Sequence, residues 1–174
     1  RGQSGRRAFQ AWASQLLAPR LAAIGWEVRA GESPLDAALR PKLIAALGFY
    51  GNRGVIDECT RRYDAFLKNP ASLPGNLRSA VLTVVGRYAT RETYDQLHAL
   101  ARAARTTEDK RRAYGAMQAV LDPQLARTTL ELTLGNELST TEASRNVAAV
   151  AAREHADLAW AFAKENTEAL LKKT

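Results

Sequence analysis

The sequence is poor in the residues that usually announce chemistry. It has one cysteine, Cys59, so neither a disulfide framework nor a cysteine-based zinc site can form within one chain. A reducing compartment fits, and the cytoplasm is the expected location. Its two histidines, His98 and His155, are far apart, and no H-E-x-x-H pattern occurs. No run approaches the ~18 apolar residues of a membrane span, so no membrane partner is expected. No secretory leader is visible. Methionine occurs once, at Met117, and the sequence starts at Arg1. The expectation is therefore a piece of a longer polypeptide, or a processed or engineered chain, with 1–174 forming a single helical-repeat domain.

Motifs for catalysis are equally scarce. No serine sits in a G-x-S-x-G elbow. Gly48, Gly51 and Gly54 are followed by no Lys-Ser/Thr pair and so form no phosphate loop. Cys59 has no local support as half of a Cys-His dyad and reads as a small core residue. His98 lies on or beside an apolar helix face and reads as a boundary histidine. Asp57-Glu58 and Glu108-Asp109 read as surface and capping carboxylates. No catalytic residue, metal ligand or cofactor is assigned within these residues, and the substrate-binding residues stay unassigned.

What is abundant is alanine and aliphatic residues. Hydrophobic residues make up 46% and aromatics only 7%, a balance that favours packed helices. Phe9, Trp12, Leu16, Leu17 and Leu21 predict a first helix over about 5–24, with Pro19 expected to kink or break it and Gly25-Trp26 to end it. After a loop over 27–32, Ser33-Pro34 opens a second helix, with Asp36 completing a weak capping box. Its expected stripe is Leu35, Leu39, Leu43, Ala46, Leu47 and Tyr50. A turn at Gly51-Asn52 leads to a third helix through Val55, Ile56, Cys59, Tyr63, Phe66 and Leu67. Two prolines and a glycine predict a loop over 68–76.

Leu77, Val81, Val84, Val85 and Tyr88 give a fourth helix, and Tyr94, Leu97, His98 and Ala101 a fifth from near Thr90. A sixth is capped at Thr106 or Thr107, a seventh opens at Asp122-Pro123, and Ser139-x-x-Glu142 is a capping box for an eighth. The last is expected from about Glu154 through Leu170. No segment alternates strictly over a strand length.

The strongest internal signal is a repeat. Leu39-Arg40-x-x-Leu43-Ile44-x-x-Leu47-Gly48-x-Tyr50 matches Leu77-Arg78-x-x-Val81-Leu82-x-x-Val85-Gly86-x-Tyr88 at an offset of 38 residues. A degenerate third copy is expected from near Lys110, turning at Asp122-Pro123. The fold class is all-α: a solenoid of antiparallel helical hairpins, HEAT- or armadillo-like, with about eight or nine helices. Gly48 and Gly86 either allow close helix approach or end a helix. Arg40 and Arg78 sit near helix N-termini, where the macrodipole disfavours cations, so acceptors are expected elsewhere, with carboxylates of an adjacent helix as candidates.

The net charge is +7 and the pI about 9.9. The basic groups Arg6-Arg7, Arg61-Arg62, Lys110-Arg111-Arg112 and Lys172-Lys173 are spread along the chain and read as solvated helix faces. A basic solenoid binding nucleic acid or a protein partner is the alternative. It is disfavoured for nucleic acid by the lack of an aromatic-basic platform.

Taken in order, several elements resemble the C-terminal helical domain of gluzincin aminopeptidases, the family of aminopeptidase N and the puromycin-sensitive and endoplasmic reticulum aminopeptidases. They are Leu-Ala-Ala-Ile-Gly-Trp (21–26), Gly31-Glu32, Leu73-Pro74-x-x-Leu77-Arg78, Tyr94-x-x-Leu97, Lys110-x-Arg112, Asp122-Pro123-x-Leu125, Val150-Ala151 and Ala159-Trp160-x-Phe162-x-x-x-Asn166. Two departures stand out: Thr167 takes the place of a tryptophan, and Glu154-His155-Ala156-Asp157 lacks a usual glycine. The resemblance implies a parent zinc metallopeptidase that removes N-terminal residues from peptides. Its zinc, catalytic residues and amine-binding motif lie in an upstream catalytic domain. Within that scheme these residues carry no chemistry; they cover the active-site cavity and control peptide access. The implied partners are the upstream domain of the same chain and peptide substrates.

Overall fold

The computed structural model describes residues 2–172, and every described element is helical or a turn. Among the described residues ten α-helices and one short 3-10 segment follow one another. They fall into two compact units with the boundary between Val85 and Gly86.

The first unit holds α1 (Gln3–Ile24), α2 (Pro34–Phe49), α3 (Arg53–Lys68), the 3-10 segment Pro70–Ser72 and most of α4 (Gly75–Arg87). Helix α1 ends where Gly25 takes a left-handed φ of 70° and returns its N–H to the Leu21 carbonyl at 2.8 Å. Ser33 caps α2 by accepting from Leu35 N–H, with Pro34 in the first turn. Gly51, at φ 79°, makes the tight turn into α3. Asn52 does double duty there: its Oδ1 accepts from Val55 N–H, and its Nδ2 donates to Ser14 Oγ on α1 at 2.9 Å. The core of this unit is built on Ile44, Leu47, Cys59, Leu73, Leu77 and Val81.

The second unit holds α5 (Arg91–Ala103), α6 (Thr107–Met117), α7 (Pro123–Glu131), α8 (Thr140–Arg153), α9 (Ala156–Glu165) and the short α10 (Thr167–Leu171). Thr90, Thr106, Asp122 and Ser139 cap four of these helices through their side-chain oxygens. The Ser139–Glu142 capping box is complete in both directions. Leu97, Ala116, Met117, Leu130, Val150 and Phe162 are fully buried. Helix α6 is followed by α7, with the turn at Asp122-Pro123 where the sequence predicts one.

The two repeat glycines are contact points. A Cβ on Gly48 would lie 2.3 Å from a methyl carbon of Val84 on α4; one on Gly86 would lie 2.1 Å from the carbonyl oxygen of Ala116 on α6. Helix α2 runs on past Gly48 to Phe49, so close approach, not helix termination, is what this glycine serves.

The paired arginines both reach back to main-chain carbonyls. Arg40, fully buried, donates from Nε to the Gly25 carbonyl at 2.8 Å and from Nη2 to the Ile24 carbonyl at 3.3 Å and to Glu32 Oε2 at 2.5 Å. It thereby satisfies the open C-terminal carbonyls of α1, where a cation is favoured. Arg78 donates to the carbonyls of Leu73 and Pro70 and lies over the Phe66 ring. Both arginines thus hold carbonyls of the preceding segment, and Arg40 adds the carboxylate of loop residue Glu32.

Other expectations need correction. Helix α1 passes through Pro19 unbroken; Pro19 and Gln15, whose carbonyl loses its donor, are both exposed, so water can serve that oxygen. Leu35 is 70% exposed, and the buried row of α2 is Arg40, Leu43, Ile44, Leu47 and Gly48. Asp36 turns to Arg20 on α1 instead of closing a capping box. The loop over 68–76 contains the 3-10 segment and yields to α4 at Gly75. The last predicted helix is two: Asn166 leaves helical geometry at φ −115° and donates its side-chain amide to the Phe162 carbonyl, closing α9 before α10 begins.

Replacing Gly86 with alanine forces a methyl into the Ala116 carbonyl and should lower stability by about 1–3 kcal/mol. Gly115→Ala on α6 meets nothing within 4 Å and should stabilise by up to ~1 kcal/mol; urea unfolding midpoints of the two variants should move in opposite directions. Arg40→Met strands a buried carboxylate and two carbonyls and should cost on the order of 3 kcal/mol, more than Arg78→Met at about 1 kcal/mol. The Arg40 hydrogen bond holds the Glu32 carboxyl below its ordinary 4.5. A lowered folded value means that this stabilisation is whole above about 4.5 and is lost as pH falls through the folded value, so the gap between wild type and Arg40→Met should narrow in acid to the part carried by the two carbonyl bonds.

Candidate functional site

The groups that could carry chemistry are each engaged by the fold. Cys59 is fully buried, and burial, with the Glu58 charge adding to it, pushes its thiol up to about 12, so no thiolate forms near neutrality. His155 lies 2.9 Å from the Val120 carbonyl, an acceptor only, so its Nε2 carries the hydrogen. His98 places Nε2 2.6 Å from Glu137 Oε1 and likewise donates. Asp57 pairs with Arg53, Glu58 with Arg61 and Arg62, and Glu108 and Asp109 with Arg111 and Arg112. Among the described residues no three His, Cys, Asp or Glu side chains gather where they could hold a metal ion.

Two polar clusters emerge in the second unit that sequence reasoning missed. In the first, Glu137, in the loop between α7 and α8, accepts at Oε1 from His98 of α5 and from Tyr114 OH of α6 at 2.5 Å. Burial works to raise the Glu137 carboxyl, but the hydrogen bonds from Tyr114 and His98 and the nearby charges of His98 and Arg102 outweigh it and hold it below its ordinary value. Burial pushes the Tyr114 phenol up, and the hydrogen bond to Glu137 pushes it further. Carboxylate and phenol therefore keep fixed roles, acceptor and donor, across the neutral range. That fixity suits a clamp holding the 132–138 loop against two helices; nothing here is poised to exchange a proton.

In the second cluster, Arg87 at the end of α4 meets Glu154 at the end of α8 at 2.7 Å, with both side chains about nine-tenths buried. A carboxylate at a helix C-terminus is unfavourable alone, and Arg87 compensates it. Deeper in, Asn146 of α8 donates to the Thr129 carbonyl and accepts from Gln118, while Tyr94 OH and Thr129 Oγ1 lie 2.8 Å apart. No sequence pattern flags these links, because the partners lie 17 to 67 positions apart.

One concavity is mainly apolar. It has a volume of about 390 Å³ between α8, α9 and α10 and is lined by Ala143, Val147, Trp160, Ala163 and Leu170, with Lys164 over the Trp160 ring. Two of its hydroxyls are spent on helix carbonyls, Ser144 on Thr140 and Thr167 on Ala163. No described helix is long and apolar enough to cross a membrane.

Comparison with known proteins places this scaffold. Residues 2–174 match the family described as ERAP1-like C-terminal domain. Aminopeptidase M1 of Arabidopsis thaliana is 31% identical over 150 residues, which are 83% of this chain and 17% of the plant protein. Aminopeptidase M1-B of Oryza sativa is 32% identical over 154 residues, 86% of this chain and 18% of that protein. The puromycin-sensitive aminopeptidase of Caenorhabditis elegans is 28% identical over 110 residues, 63% of this chain and 12% of its own length. The chain thus spans under a fifth of the length of the curated relatives it matches. A helical scaffold with this match along its length belongs to the ERAP1-like C-terminal domain family.

Proposed function

We propose that this chain is the C-terminal, non-catalytic domain of a zinc-dependent aminopeptidase that releases N-terminal residues from peptides, and that it covers the active-site cavity and governs which peptides enter. The observation that carries the reading is the family match over residues 2–174, together with relatives that are named aminopeptidases and are more than five times as long as the matched stretch. The engagement of Cys59, His98 and His155 in the fold supports placing the chemistry elsewhere in the polypeptide. The donors described in this chain do not fit a zinc site: no three His, Cys, Asp or Glu side chains gather among the described residues, and the one thiol is buried and neutral. The HEAT-like character of the repeat, the joint action of the two units as one domain, and a cytoplasmic location belong to the same proposal. Binding of nucleic acid fits less well, because Arg53, Arg61, Arg62, Arg91, Arg111, Arg112 and Arg127 lie in ion pairs with neighbouring carboxylates.

The test uses the complete polypeptide. It should release N-terminal residues from peptides and from an aminoacyl reporter, lose this activity to a chelator and regain it with zinc. Deleting residues 1–174 should change the ratio of rates on long peptides and on the small reporter by at least about threefold, a difference of about 0.7 kcal/mol between the two barriers. A complete polypeptide without aminopeptidase activity would overturn the reading, and an unchanged ratio would remove the access role.

A further inference from the structure

The Arg40–Glu32 ion pair of the first unit uses only part of each partner. Arg40 Nη2 meets Glu32 Oε2 at 2.5 Å, and the same oxygen accepts the Arg29 N–H at 3.0 Å. The other bonds of Arg40 run from Nε to the Gly25 carbonyl and from Nη2 to the Ile24 carbonyl. A guanidinium carries five N–H groups, and two of them sit on Nη1. Nη1 and Glu32 Oε1 have no hydrogen-bond partner among the described residues, and neither atom reaches solvent. Arg40 is fully buried, and the Glu32 side chain is 8% exposed. Buried polar atoms are ordinarily satisfied, and the cost of leaving them unmatched is greatest for charged groups.

Direct closure into a two-bond fork is opposed by what holds each group from its other side. Nε and Nη2 are fixed by successive carbonyls at the end of α1, and the carboxylate is fixed by the Arg29 N–H. Whatever completes the pair has to accept from Nη1 and donate to Oε1. It also has to be uncharged, because the pair already sums to zero and an ion there would be buried without a counter-charge. An anion would face the Glu32 carboxylate. A cation would face Arg40, with the Arg29 charge also close enough to act on Glu32. Water both donates and accepts, and two or more polar partners are enough to hold it inside a protein.

We propose that one ordered water molecule bridges Arg40 Nη1 and Glu32 Oε1, as an internal part of the first unit that ties the loop before α2 to α2 itself. The proposal stands apart from the functional reading of the chain. Its test is a crystal structure of the complete polypeptide at a resolution that shows ordered water. A single water should lie within about 3.2 Å of both atoms, at full occupancy and as well ordered as the side chains around it. Its density should be lost in Glu32→Leu, which removes the acceptor. A direct bond between Nη1 and Oε1 with no water between them, or an ion in place of the water, would overturn the proposal, as would unchanged density in Glu32→Leu. The wild-type map decides alone if that variant fails to fold.

Discussion

Two helix contacts are so close that no side chain fits between them, and the rest of each unit is arranged around that fact. At Gly48 the backbone of α2 meets the Val84 side chain, and at Gly86 the backbone of α4 meets the Ala116 carbonyl. Close-packed helices forfeit apolar volume at such points but bring flanking side chains into register, so that Leu47 and Val81 in one unit and Ala116 and Met117 in the other lose all contact with water. The same position of the 38-residue motif, Gly48 and Gly86, thus leaves out a side chain in two successive copies, once against a side chain and once against a carbonyl.

The second organising feature is the treatment of helix ends. The described helices of the second unit begin under side-chain caps four times in six, and the first unit adds Ser33 and Asn52. Where C-terminal carbonyls are left over, Arg40 collects them at the end of α1 and Arg78 takes those of the segment before α4. Polar groups that enter the interior, such as Asn146 and Thr129, are likewise matched with carbonyls.

Local features were legible in the sequence. The Ser139–Glu142 box, the Asp122-Pro123 helix start and the Gly51 turn each depend on residues within a few positions, and each is where the pattern puts it. Features that depend on distant partners were not. Nothing around Glu137 announces that a histidine 39 positions earlier and a tyrosine 23 positions earlier converge on one of its oxygens. Pro19 misleads for the opposite reason: its local rule is sound, but exposure lets water take the place of the lost donor. The break at Asn166 turns on a side chain folding back on its own helix, which competes with continuation too evenly for pattern alone to decide. As for the site, its inventory of donors was readable, whereas their engagement required coordinates.

Because the carbonyls that Arg40 and Arg78 grip belong to the main chain, these contacts place little demand on the side chains of the segments they hold. The oxygens themselves do not depend on side-chain identity, although burial restricts Ile24 and Leu73 and a φ of 70° restricts Gly25. The two arginines thus act as anchors that read main-chain oxygens: the exposed residues 27–30, 71 and 72 of the connecting segments can differ in composition while the held oxygens stay where they are. In a family whose members share about a third of their residues with this chain, such an anchor lets form persist while the exposed face is rewritten.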